Sequence, residues 1–210
     1  MNAGKLGRIG GAILATVLVA GAALAPAAPA KKVSKTYTVG VGSTSGGAAI
    51  AIPDGAGQNT QLVRSPIAVK GLNPRGKIFD VNVGVRADHI AAKDLEFYLA
   101  TPRGVINLSS DNGGAGNNYG GGFDSCAGQF TLFDSDNPTL INTPGLTAPF
   151  AGAFAPEESL NLLDGLGNKK ANNATWSLLV EDDDAANPAG TLFCWKVTIG
   201  ATSPKNKKKK

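Results

Sequence analysis

Five segments of this chain carry strand patterns, and in most of them apolar and polar residues alternate with a period of two. In Ile78 to Arg86, Val81, Val83 and Val85 share one face, while Asp80, Asn82, Gly84 and Arg86 share the other. Asp94 to Leu99 repeats the pattern with Leu95, Phe97 and Leu99, and Thr175 to Val180 does so with Trp176, Leu178 and Val180. Thr191 to Ile199 sets Phe193, Trp195, Val197 and Ile199 on one face, and Val105 to Leu108 follows a turn at Thr101 to Gly104. Such alternation suits antiparallel strands with one buried face. The 28 Gly and 12 Pro occupy roughly a fifth of 210 positions, which excludes a helix bundle or coiled coil. With 42% hydrophobic and 17% charged residues, the chain can bury a core. The expectation is an all-β protein, an antiparallel β-sandwich of two facing sheets. Pro156 to Leu163 can hold one short helical turn, and no repeat of fixed period is present.

Residues 1–30 read as a secretory signal. Lys5 and Arg8 open it, Ile13 to Leu24 is apolar, and Ala28-Pro29-Ala30 places small residues before a cut at Lys31. The other reading is an uncleaved anchor spanning Ile9 to Ala25, at the lower edge of membrane-spanning length. Either way the body is expected outside the cell, with no further membrane span after cleavage. Residues 31–47 are expected as an N-terminal segment and linker that holds an edge strand at Thr36 to Val41. Residues 48–201 are expected as the folded domain, and 202–210 as a basic unstructured tail.

Export makes the cysteines informative. Cys126 and Cys194 are the only two, so oxidation can join only that pair, 68 positions apart. The alternative is two buried thiols. With one His and two Cys, a zinc or haem site would be poor in ligands. The net charge of +4 misleads, because the stretch 36–204 holds ten basic residues against 16 acidic ones, a net of −6. An acidic body with basic ends does not match a nucleic-acid-binding domain. The tail from Lys205 to Lys210 can attract an anionic envelope or polymer, or simply be a solvated end.

Several stretches together resemble the P domain, or P/Homo B domain, that follows the catalytic domain of proprotein convertases and many bacterial subtilisin-like proteases. Ile52-Pro53-Asp54 is similar to its opening. Val81 to Val85 precedes Asp88-His89, and Asp94 to Gly104 resembles the family's DLxIxLxSPxGT stretch. Phe133-Asp134 resembles its FDD element, and Pro156, Leu160 and Gly165 fit the segment that follows. Trp176 to Asp182 resembles WxLxVxD, and Gly190 to Ile199 resembles GTLxxWxLxI. Thr101, Val105 and Ser135 depart from the family pattern, and Ser135 removes the second Asp of its acidic pair. The resemblance implies a jelly-roll, galactose-binding-like sandwich. It also implies a non-catalytic module that docks to a protein or surface, or an accessory to a separate subtilisin-like serine endopeptidase.

His89 is the only histidine, so a Ser-His-Asp triad would have to use it. No Gly-x-Ser-x-Gly elbow is present, and the resemblance assigns His89 a structural place at a strand end, so no catalytic residue is expected and an independent hydrolase ranks far below. Asp94, Asp134, Asp136, Glu181 and Asp182 fall at strand ends that a sandwich can gather. Calcium takes six to eight oxygen ligands, and some bacterial P domains hold it, so these five are the candidate metal ligands; a solvated acidic rim is the alternative. Asp111 to Asp124, with six Gly and three Asn, is expected as a long flexible surface loop. Asn107-Leu108-Ser109 and Asn173-Ala174-Thr175 spell glycosylation sequons.

Overall fold

The computed structural model describes residues 29–55, 61–121, 125–172 and 174–203. The expected leader up to residue 28, the tail from 204, Asp124 and the sequon residue Asn173 lie outside the described residues.

Two sheets form. In the larger, the order is β1 (Lys31–Gly40), β10 (Gly190–Ser203), β4 (Ile78–Asp88), β7 (Thr131–Asp134) and β8 (Gly152–Phe154), with β2 (Ile50–Ile52) also paired to β10. In the smaller it is β3 (Val63–Ala68), β9 (Thr175–Asp182), β5 (Leu95–Thr101) and β6 (Gly104–Ser109). Pairing is antiparallel throughout except β7 with β8. The protein is an all-β sandwich, as the alternation requires. Among the described residues helix is confined to 3-10 turns at Ala92–Asp94 and Leu160–Leu163 and to α1 (Asn168–Asn172). Among the described residues no helix is long and apolar enough to cross a membrane.

The inward faces follow the period-two reading. Val81, Val83 and Val85 of β4 are buried, as are Leu95, Phe97 and Leu99 of β5, and Trp176, Leu178 and Val180 of β9. β10 contributes Trp195, Val197 and Ile199. Trp195 reaches across the core, and its indole N–H donates to Ser65 Oγ of β3 at 2.9 Å. The two sheets are thereby joined by a polar contact inside an apolar layer. The indole keeps its hydrogen bond and so avoids the desolvation cost of an unpaired buried donor.

Phe193 departs from the expected face. The register against β4 shifts between Leu192 and Cys194, so Phe193 is the extra residue of a bulge and Leu192 takes the inward place. β1 begins at Lys31, well before the expected Thr36, and is an edge strand of ten residues. The Gly/Asn-rich stretch from Asp111 also departs, because its described part is packed and not a flexible surface loop. Tyr119 is fully buried, its ring 4.7 Å from Phe97 and 5.0 Å from Phe150, and its hydroxyl lies 2.9 Å from Ser109 Oγ. The glycines permit close backbone approach: a Cβ on Gly116 would stand 2.1 Å from the Ala148 carbonyl oxygen. Gly120 also needs its positive φ of 82°.

Cys126 and Cys194 are joined. The bond ties β10 to the turn before β7 and closes 68 positions of chain. Reducing it should lower stability by roughly 4 kcal/mol on the chain-entropy model, read as a fall in urea midpoint. Trp195→Ala should cost about 3–5 kcal/mol, and a loss below about 1 kcal/mol in urea unfolding would contradict the inward placement of the indole.

Candidate functional site

The loop end where β4 stops, β5 starts and β9 stops gathers the chain's chemistry. β4 ends at Asp88, and His89 follows, fully buried. The antiparallel register sets Leu95 opposite Asp182, so the residues just before β5 and at the end of β9 meet there. His89 Nε2 lies 3.0 Å from Asp182 Oδ2. Nδ1 lies 2.6 Å from the Ala91 carbonyl oxygen and 3.2 Å from the Ala91 amide, and 4.0 Å from Asp94 Oδ2. The His89 main chain exchanges bonds with Asn118: the amide donates to Asn118 Oδ1 at 2.9 Å and the carbonyl accepts from the Asn118 amide at 3.1 Å.

Asp94 and Asp182 are thus brought together around His89, and both are compensated. Asp94 accepts from Lys93 Nζ at 2.7 Å and from Asn187 Nδ2 at 2.7 Å. Lys93 also reaches Asp184 at 3.2 Å. These bonds raise the Lys93 ammonium above its ordinary value, and the Ala186 amide followed by Lys93 lowers Asp184. Burial pushes the Asp182 carboxyl up, and the charge of His89 opposes that rise. This arrangement is a clasp holding loops from both sheets. It leaves His89 no ring nitrogen free to accept a proton from a hydroxyl nucleophile, whichever tautomer is present, and its side chain has no exposure. A general base needs both reach and an open nitrogen.

The other expected ligands lie elsewhere. Asp134 pairs with Asn82, six residues back along β4 from Asp88, or about 20 Å at strand rise. Asp134 and Asp136 instead share a field with Asp80 and Asp164, which together with burial raises the Asp80 carboxyl. Glu181 stands directly opposite Glu96 on the outward face of the β5–β9 pair. Five carboxylates therefore do not converge on one point: Asp94 and Asp182 meet, and Asp134, Asp136 and Glu181 do not join them.

A second acidic group lies at the same loop end. Asp183 of this group is one of the acidic strand-end and loop positions that the sequence offers, but none of Glu96, Asp111 and Asp183 is among the five expected ligands. Oxygens of Glu96, Asp111 and Asp183 all lie within 4.8 Å of one another. Glu181 adjoins through its contact with Glu96, and the Tyr98 hydroxyl donates to Glu96 Oε2. Burial raises Glu96, with Glu181 and Asp111 adding to the rise. Asp183 is likewise raised by burial, then by Asp111 and Glu96. Burial and Glu96 push the Tyr98 phenol up to about 12. No cation figures among the groups acting on Glu96 or Asp183. The donor sets differ in kind: the His89 clasp mixes imidazole, ammonium and already bonded carboxylates, which suits calcium poorly. The Glu96 group offers hard oxygens alone, which suits it well.

No protein-family model matches the chain, and no curated protein matches it. Two crystal structures are similar to it in part. One is the serine protease of Aeromonas sobria in complex with a chaperone, with 18% identity and a TM-score of 0.39. The other is the serine protease of Aeromonas sobria, with 16% identity and a TM-score of 0.36. Each alignment covers 86% of this chain and only 28% of the other. Likeness at this level carries no argument about function.

Replacing His89 with Ala should leave the buried Asp182 without its imidazole partner at 3.0 Å and cost about 1–3 kcal/mol in urea unfolding. The double replacement His89→Leu with Asp182→Leu should recover part of that loss, since no buried carboxylate is then left without a partner. A single-variant cost below about 1 kcal/mol would show that the clasp does not hold the loops.

Proposed function

We propose that this chain is a secreted, non-catalytic binding module of P/Homo B type. It docks to a partner protein or surface, and its loop end holds calcium through Glu96, Asp111 and Asp183, with Glu181 adjoining. The observation that carries this reading is the all-oxygen group at that loop end, whose raised carboxyls face other carboxylates. Like charges directly opposite across a strand pair are destabilising, and a divalent cation removes the conflict while tying the loop after β6 to the loop after β9. The sealed His89 supports the non-catalytic part. The ordered run of P-domain-like stretches supports a second reading, in which the partner is a separate subtilisin-like catalytic chain. The two separate on adding the chain to such a protease: a longer thermal half-life of the protease favours the accessory role.

Calcium should raise Tm and chelator should lower it. An ion bound only to the native state adds roughly 2.7 kcal/mol at a hundredfold excess over Kd, or about 5–10 °C for a chain of this size. Glu96→Gln and Asp183→Asn should each abolish most of that response, and Asp134→Asn should leave it intact. An unchanged Tm in chelator, with no metal found by native mass spectrometry, would make the group a solvated rim.

A pH dependence follows for the calcium-free chain. Glu96 and Asp183 hold their protons more tightly folded than unfolded, where their values are 4.5 and 3.8. Their contribution is therefore most favourable below those values and declines as pH rises through the raised ones. Glu96→Gln should flatten this decline and, at pH 7 in chelator, should stabilise the chain by about 0.5 kcal/mol. Destabilisation by Glu96→Gln under those conditions would contradict the repulsion.

A further inference from the structure

Chain segments far apart in sequence deliver basic side chains to the end of the sandwich opposite the carboxylate group. β1 starts there, with Lys31 opposite Ser203 and Lys32 opposite Thr202, and Lys35 follows on the same strand. The segment leading into β4 adds Lys70, Arg75 and Lys77, with the Thr202 amide donating to the Lys77 carbonyl at 2.8 Å. Lys169 and Lys170 of α1 come next to Asn168, whose side-chain amide donates to the Asn73 carbonyl at 2.7 Å. The tip of the β5–β6 hairpin brings Arg103, and Pro102 beside it shares a depression with Lys169 and Lys170. All these basic residues are exposed. β10 ends at this same place, at Ser203, and the sequence then runs into Lys205 and Lys207 to Lys210.

Edge protection explains part of this. Lysines on an open edge strand block unwanted strand pairing, which accounts for Lys31, Lys32 and Lys35. It does not account for Lys70, Arg75, Lys77, Lys169 or Lys170, which lie on other segments. Acidic residues at this end are fewer: Asp80, Asp134, Asp136 and Asp164 interact with one another along one flank. Two large apolar side chains stand in the open beside the basic group. Val105 is 58% exposed and Leu162 is 60% exposed, and both line one depression with Arg103.

We infer that this basic end is a docking face for an anionic lipid surface. Charge alone would suit any polyanion; the exposed Val105 and Leu162, which line one depression with Arg103, favour a surface that has an apolar phase beneath its charges. Basic residues at an anionic bilayer each gain about 1 kcal/mol, which salt screens. The inference does not rest on the calcium group, which lies about 20 Å away along β5, so each can fail without the other.

The test is co-sedimentation of the full chain with vesicles of equimolar phosphatidylcholine and phosphatidylglycerol, against vesicles of phosphatidylcholine alone. Lys70→Gln, Arg75→Gln, Lys169→Gln and Lys170→Gln are combined in one variant, and Arg64→Gln with Lys196→Gln serves as the control. Their far-ultraviolet spectra and Tm confirm that both fold. The four-site variant should bind anionic vesicles at least about tenfold more weakly, a floor well inside the roughly 600-fold that four charges worth about fivefold each would give unscreened. The control should bind within about twofold of the parent, and about 1 M salt should abolish the difference. Equal binding to both vesicle types, or parent-like binding by the four-site variant, would overturn the inference. So would binding of soluble dextran sulfate that depends on these four residues while vesicles are ignored.

Discussion

Strand β10 holds three partners at once. It pairs with β1 along ten residues, with β2 near its start and with β4 along most of its length. Backbone pairing of this extent leaves its outward and inward faces no freedom to exchange, because a one-residue slip would turn every side chain over. The bulge at Phe193 absorbs one such slip locally, and a second shift falls near the strand's end, between Gly200 and Ala201. Beyond Phe193, Cys194 is positioned for Cys126, and Trp195 points inward to reach Ser65 in the other sheet. The cross-sheet hydrogen bond, the disulfide and the main apolar layer therefore all depend on the register of one strand.

That register also decides what meets at each end. Because β5 and β9 pair antiparallel in the smaller sheet and β4 of the larger sheet ends at the same edge, their termini bring His89, Asp94 and Asp182 into one buried clasp and place Glu96 opposite Glu181 outside it. The two acidic groups are close in space and differ in chemistry. The inner one carries its own donors, Lys93 and Asn187 on Asp94 and the imidazole on Asp182, and holds loops together. The outer one has no cation acting on Glu96 or Asp183, and so a cation from solution has something to gain there. At the far end, the starts of β1 and β4 and the end of β10 collect the lysines. A sandwich whose body is acidic overall thus separates its charges along its strands. The acidic loops suit a divalent cation and the basic end suits an anionic surface.

Much of the fold was legible because alternation is a one-dimensional signal. Val83, Phe97, Trp176 and Trp195 could be assigned inward from their neighbours alone. Phe193 could not, since a bulge arises from pairing with another strand and leaves no mark in the local pattern. Glycine content misled at Asp111 to Gly121: it reads as flexibility, whereas Gly116 and Gly120 are there so that backbones can touch and Tyr119 can enter the core. For the candidate site, Asp94 and Asp182 were found because one immediately precedes a recognisable strand and the other ends one. That they serve His89 was signalled only by the lone histidine just past β4. The Glu96, Asp111 and Asp183 group needs the β5–β9 register and the course of a glycine-rich loop, neither of which any single segment encodes.

The place a calcium ion takes distinguishes the Glu96 group from the His89 clasp. Crystals of the chain grown in calcium and measured at long wavelength would locate it by anomalous scattering. The account predicts one peak about 2.3–2.6 Å from carboxylate oxygens of Glu96, Asp111 and Asp183, with His89 still bonded to Asp182. A peak between Asp94 and Asp182 with His89 displaced, or no peak at either group in saturating calcium, would contradict it.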